Sequence, residues 1–300
     1  MNFCSRCGTR VAGSYCRHCG AATPGGGTTQ SVAPVSIPLV PPTASDNAVS
    51  HGAPVSLVTG VASPVMDRRS LVNETRWVMV AFLSPAVIGA VIILAQHASG
   101  VENIARFPTI VHNPVTNMLL GILEYLTVAS VVPLALYLLA RTGQGRRELG
   151  LGVPSLRGDV IPALGLGAAG FGVEFAMALV LLAFLYNHKS LFVSPSLHSV
   201  PGYYLVWGIA ISAITSVTEE VLVNGYLITR LEQLGWTPRT SLLLSLTLRT
   251  SYHVYYGLGF IFTIPLGYFI TRSFQKHHRL TRCIVAHFLY DAILFAIALH

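Results

Sequence analysis

An all-α, polytopic bundle of about seven transmembrane helices is the fold class this sequence predicts, with a small four-cysteine module ahead of it. Three observations predict it. Charged residues are 10% of the chain, against about 25% in ordinary soluble domains. Hydrophobic residues are 52%, and the mean hydropathy is +0.61. Long apolar runs, each with few or no charges, recur after residue 76. The net charge of +7 lies mostly in short segments between those runs. It reads as a topology signal, and nucleic acid is excluded as a partner.

Residues 3–20 carry Cys4 and Cys7, then Cys16 and Cys19, as Cys-x2-Cys, eight residues, Cys-x2-Cys, with Gly8 and Gly20 closing each pair. Tetrahedral zinc needs four thiolates brought together by tight turns, and glycine turns most freely. The pattern resembles the short zinc ribbons at the cytoplasmic N-termini of many bacterial membrane proteins. The expectation is a structural zinc site over residues 1–22, unfolded without metal, with a cytosolic protein as its partner. Cys283 stands apart and is expected to be a buried spectator. The first residues contain no apolar signal-peptide core, so the N-terminus is expected to stay cytoplasmic, in a bacterial cell membrane. Seven prolines and Gly25-Gly26-Gly27 mark residues 21–66 as a tether. The linker and juxtamembrane segment together are taken as 23–76, and the transmembrane domain as 77–300.

The spans follow in order. From Trp77 to Ala95 there is no charge over 19 residues, long enough for a first helix, with Pro85 inside it. The second span is expected at 115–139, with Glu124 and Pro133 inside. The third is expected at 160–185, where Gly165, Gly167, Gly170 and Gly172 favour close helix approach and Glu174 lies within. The fourth is expected at 203–228, the fifth at 241–256, the sixth at 258–270 and the seventh at 283–299. Arg141, Arg146, Arg147 and Arg157 follow the second span. Arg230 and Arg239 follow the fourth, and Arg272, Lys276, Arg279 and Arg282 the sixth. The opposite loops hold only Arg106 and Lys189, so the positive-inside rule agrees with this topology. His277 and His278 are read as solvated interface residues.

Glu219 and Glu220 sit side by side late in the fourth span, with Asn224 four residues on. Ionisable groups at membrane depth are expensive and point to function. Arg249 and His253 are four apart on the fifth span, and His287 and Asp291 four apart on the seventh. Residues at i and i+4 share a helix face. Three helices can therefore each turn a polar face to one buried site.

Glu219-Glu220-x3-Asn224, Arg249-x3-His253 and His287-x3-Asp291 resemble the three motifs of the CPBP family of intramembrane proteases, which includes the CAAX endopeptidases. Those motifs are Glu-Glu-x3-Arg, aromatic-x3-His and His-x3-Asn/Asp. The resemblance covers about residues 200–295, and the loop Arg146-Arg147-Glu148-Leu149-Gly150-Leu151 also looks like this family. Two positions depart from it: Asn224 stands for the arginine and Arg249 for the aromatic. One reading is an exchange, in which the cation has moved to another helix and still faces the glutamates.

The resemblance implies an intramembrane endopeptidase acting on a membrane-associated peptide or protein among membrane lipids. It implies Glu219 as the general base that activates water, with His253 assisting. His287 and Asp291 would orient and stabilise the oxyanion, and Glu220 would be structural or would tune its neighbour. Such chemistry needs a base, a positioned water and an oxyanion donor. The family has also been called metalloprotease. His253, His287 and a glutamate leave an active-site metal open, although no His-Glu-x2-His helix is present. The alternatives are an inactive scaffold or regulator of the same fold, which Asn224 and Arg249 favour, and a proton-coupled transporter, which lacks paired broken helices. The topology places Glu219 and His287 toward the cytoplasmic ends of their spans, but His253 late in an outward-running helix. That conflict implies that the fifth span is displaced, broken or deeper than drawn.

Overall fold

Apolar runs without charge become helices, and the helices break where backbone chemistry requires it. The computed structural model describes residues 2–3, 10–11, 67–99, 113–188 and 204–298. The chain divides into two compact units, Met1–Val65 and Met66–His300. In the first, strand β1 (Asn2–Phe3) pairs antiparallel with β2 (Arg10–Val11), Asn2 opposite Val11 and Phe3 opposite Arg10. Cys4, Cys7, Cys16, Cys19 and the tether lie outside the described residues.

The second unit is helical throughout its described residues. Helix α1 runs Arg68–Ala98. It starts about two and a half turns before the apolar run, where Leu71 and Thr75 continue the buried face of Val78 and Phe82. Helix α2 (Pro114–Ala129) is capped by Asn113, whose side chain accepts from the Thr116 amide at 3.1 Å. It gives way at Ser130 to α3 (Val131–Arg141). Pro133 explains the break, since it has no amide hydrogen for the Ala129 carbonyl and its ring crowds that group. One π-helical turn, Leu156–Val160, leads into α4 (Ile161–Val180), followed by the short α5 (Leu182–Asn187). Of the four glycines expected to bring α4 close to a neighbour, a Cβ at Gly170 alone would meet other described atoms, those of Leu266.

Helix α6 (Tyr204–Glu219) continues without a break into a π-helical stretch, Glu220–Ile228, and then α7 (Thr229–Gln233). Every residue of the π-helical stretch is buried. Helix α8 covers Pro238–Ser251, 3-10 turns cover Val254–Tyr256 and Leu258–Thr263, and α9 covers Ile264–His277. Helix α10 covers Leu280–Ala298 and packs on α6, α4 and α9.

Among the described residues, five helical segments are long and apolar enough to cross a membrane: Arg68–Gln96, Met118–Arg141, Leu156–Val180, Leu205–Gln233 and Leu280–Ile297. The chain is an integral membrane protein. The expected fifth and sixth spans differ from their prediction. Helices α8 and α9 have 14 residues each, which is about 21 Å of helix against a hydrocarbon core of about 30 Å. Gly257, at φ 60°, takes the left-handed turn between them. This break resolves the misplaced His253: α8 ends at Ser251, and His253 lies in the turn beyond it.

The basic segment before α10 is clasped to the loop before α4. The Leu280 and Thr281 amides donate to the Leu149 and Gly150 carbonyls at 2.9 and 3.2 Å. Arg279 pairs with Asp159 at 2.9 Å, and this hydrogen-bonded carboxylate raises the guanidinium pKa above its ordinary value. Exposed His277 is lowered, first by partial burial and then by Arg282, Lys276 and Arg279. The clasp fixes the start of the helix that carries His287 and Asp291.

Candidate active site

Glu219 and Glu220 occupy the junction where α6 passes into π-helical winding. Such irregular turns recur at functional sites because they re-aim side chains that a regular helix would send elsewhere. Both carboxylates meet one cation from α8. Arg249 Nη1 lies 3.1 Å from Glu219 Oε2, and Nη2 lies 2.9 Å from Glu220 Oε1. A forked guanidinium spans two acids with donors fixed in one plane, which an ammonium on a flexible stem does not offer. Arg249 reaches them because α9 presents Gly267 alongside. A Cβ at Gly267 would stand 2.9 Å from Arg249 Cδ and 3.2 Å from Leu246 Cδ2.

Glu220 is fully enclosed. Its Oε1 also faces His287 Nδ1 at 2.8 Å, and its Oε2 accepts from Asn224 Nδ2. Charge-assisted contacts of this number are what an ionised carboxylate needs away from water. On its other side, His287 Nε2 lies 3.4 Å from Asp291 Oδ2. Side-chain exposure climbs from 0% at Glu220 through 8% at His287 to 34% at Asp291. The cluster therefore opens at its Asp291 end.

Glu219 is loaded on one oxygen. Arg249 Nη1 and the Tyr252 hydroxyl, at 2.7 Å, both donate to Oε2. Neither contact falls on Oε1, and the side chain is 14% exposed. Two donors among the described residues thus hold one carboxylate oxygen, and neither of them reaches the other.

The structure brings Glu219, Glu220, Asn224, Arg249, His287 and Asp291 into one connected network. His253 borders it differently from the expectation. Its Nδ1 bonds the Arg249 carbonyl at 2.8 Å, and its ring lies among Tyr252, Tyr255 and Tyr256. Tyr252, missed in the sequence, touches Glu219 from the start of that turn. The signal for it was present, since it stands three residues after Arg249 and so near the same face. Glu174, which stands outside the three motifs, accepts from Tyr290, the residue before Asp291. Glu124 is exposed on α2.

Among the described residues no group of three His, Cys, Asp or Glu side chains is arranged to hold a metal ion. Both His287 nitrogens face carboxylates, and Arg249 stands between the glutamates where a cation would lie. These residues do not fit an active-site metal.

The network lies within a segment that matches a known family. Residues 201–293 match the family model described as Rce1-like, type II CAAX prenyl endopeptidase Rce1-like. Over this segment the chain is CPBP-like. No curated protein and no solved structure matches the chain. The Rce1-like segment holds every polar group of the network, from Glu219 to Asp291, and the family it matches is one of membrane proteases.

Proposed function

We propose that this CPBP-like chain is an intramembrane endopeptidase that hydrolyses a peptide bond in a membrane-associated substrate with water activated by Glu219. The observation that carries the reading is the one-sided loading of Glu219. Its Oε2 is held by two donors while Oε1 takes neither, beside an imidazole bracketed by carboxylates. Oε1 takes a proton from water as the water oxygen bonds to the carbonyl carbon and the C=O π pair moves onto oxygen. His287 Nε2–H turns from its loose Asp291 contact to the oxyanion, while Glu220 at Nδ1 keeps the ring oriented and the nearby Asp291 charge supports the ring's proton. The proton on Glu219 then passes to the leaving nitrogen as the C–N bond breaks. Arg249 keeps the adjacent carboxylates compatible, Asn224 fixes Glu220, and His253 assists from Nε2.

The test compares wild type with Glu219→Gln, purified in detergent, on a quenched-fluorescent peptide library that includes lipidated members. Wild type is expected to cleave, and Glu219→Gln to lose about 10²–10⁴ of the rate. Equal cleavage by both overturns the reading. An inert, well-folded wild type favours the second reading, an inactive scaffold or regulator, for which the Asn224 and Arg249 departures speak.

Gly267 offers an independent check on the placement of the cation. Gly267→Val pushes a side chain against Arg249 Cδ and Leu246 Cδ2. It is expected to cost about 1–3 kcal/mol in overpacking and to lower cleavage at least tenfold, roughly 1.4 kcal/mol of barrier. Thermal unfolding and kcat/KM of the same preparation read both effects.

The amino-terminal unit belongs to the same proposal. Cys4, Cys7, Cys16 and Cys19 hold one structural zinc and form a module for a cytosolic protein partner, on the cytoplasmic side of a bacterial membrane. Their Cys-x2-Cys spacing supports this.

A further inference from the structure

A buried phenol holds the proposed base in place. Tyr252 is 5% exposed and caps the end of α8, where the chain leaves the helix for the 3-10 turns. Its ring packs edge-on against Phe82 of α1, with centroids 5.8 Å apart. A buried phenol needs a hydrogen-bond partner, and here the partner is Glu219 Oε2 at 2.7 Å.

The terminal torsion of a glutamate is broad and nearly two-fold, so one donor leaves the two oxygens free to trade places. Arg249 approaches Oε2 from α8, and Tyr252 approaches the same oxygen from the turn beyond it. Two donors from different backbone positions remove that two-fold ambiguity. His253 does not do this work through Nδ1, which the Arg249 carbonyl engages. We infer that Tyr252 is a positioning residue for Glu219, pinning Oε2 so that Oε1 alone faces the reacting water. The consequence for catalysis rests on the peptidase reading, whereas the pinning itself does not.

Tyr252→Phe keeps the ring on Phe82 and removes only the hydroxyl. The full chain in lipid nanodiscs is the sample. The carboxylate stretching bands of Glu219 are isolated as the infrared difference between a chain and the same chain carrying Glu219→Gln. Tyr252→Phe is expected to shift those bands, and Tyr268→Phe, on an exposed ring of α9, to leave them in place. On the best-cleaved library peptide, Tyr252→Phe is expected to lower kcat about 10- to 100-fold with KM unchanged, the pattern of a group that acts only in the reacting complex. Unmoved bands overturn the inference, and so do shifted bands with an unchanged kcat. The infrared arm needs no turnover. Cleavage that survives Glu219→Gln therefore defeats the peptidase reading, while the spectra still decide the role of Tyr252.

Discussion

Arg249→Phe is expected to abolish cleavage and to destabilise the protein by about 3–5 kcal/mol, the cost of stripping the partner from buried charge. Arg249 is enclosed, with a side-chain exposure of 5%, and it serves two carboxylates, of which Glu220 is at 0%. Without it, Glu220 keeps His287 and Asn224, while Glu219 loses its cation and keeps the Tyr252 hydroxyl. The decisive experiment adds Asn224→Arg to Arg249→Phe, which restores the Glu-Glu-x3-Arg and aromatic-x3-His pattern that the CPBP resemblance carries. Asn224 already touches Glu220, so a guanidinium grown from it enters the space that Arg249 gave up. The double variant is expected to recover most of the stability and a measurable part of the cleavage. Asn224→Arg alone is expected to be destabilising, because two cations and extra volume crowd one closed site. Unfolding in mixed detergent and kcat/KM form a double-mutant cycle with strong coupling. Additive losses would sink the view that the cation has changed helices.

The network was legible in the sequence because its members obey helical spacing. Glu220 and Asn224, and His287 and Asp291, are each four apart, and each pair makes contact. Arg249 was legible as a displaced cation because two adjacent acids in an apolar run call for one. The i+4 spacing of Arg249 and His253 assumes that α8 continues, and it stops at Ser251, so His253 follows the geometry of the turn beyond. That turn begins at Tyr252, whose hydroxyl meets Glu219. The π-helical winding after Glu219 was not legible at all. It depends on i→i+5 bonding, which leaves no periodic mark over nine residues that an apolar pattern could reveal. The expected fifth and sixth spans, already short in the sequence, are two helices of 14 residues joined by 3-10 turns. Their polar residues and the backbone turn at Gly257 keep them short.

A second buried cation escaped the sequence reading for a different reason: its partner lies 156 residues away. Arg230 was counted among the loop charges that set topology, yet it is fully enclosed. Its Nη2 meets Glu74 Oε1 at 2.6 Å and the Leu138 carbonyl at 2.8 Å, and its Nη1 meets Thr142 and Gln233, both at 2.7 Å. Tyr226 donates to the same Glu74 oxygen at 2.9 Å and lays its ring 5.2 Å from the guanidinium carbon. One side chain thus ties α1 and the end of α3 to α7, directly after the winding that sets Glu219 and Glu220. Arg230→Met leaves Glu74, Thr142, Gln233 and the Leu138 carbonyl without their shared donor, and is expected to cost about 3–5 kcal/mol. Pairing it with Glu74→Met removes the stranded charge as well. Well-packed apolar replacements of a buried pair are often neutral, so the double variant is expected to regain most of the loss in mixed-detergent unfolding. Cleavage should follow a different course. If the tie fixes the winding, the double variant refolds with its stability restored and its kcat still lowered, because an apolar contact holds α1 to α7 without the directional bonds that set the register. Full recovery of both stability and kcat would reduce the Arg230 cluster to packing.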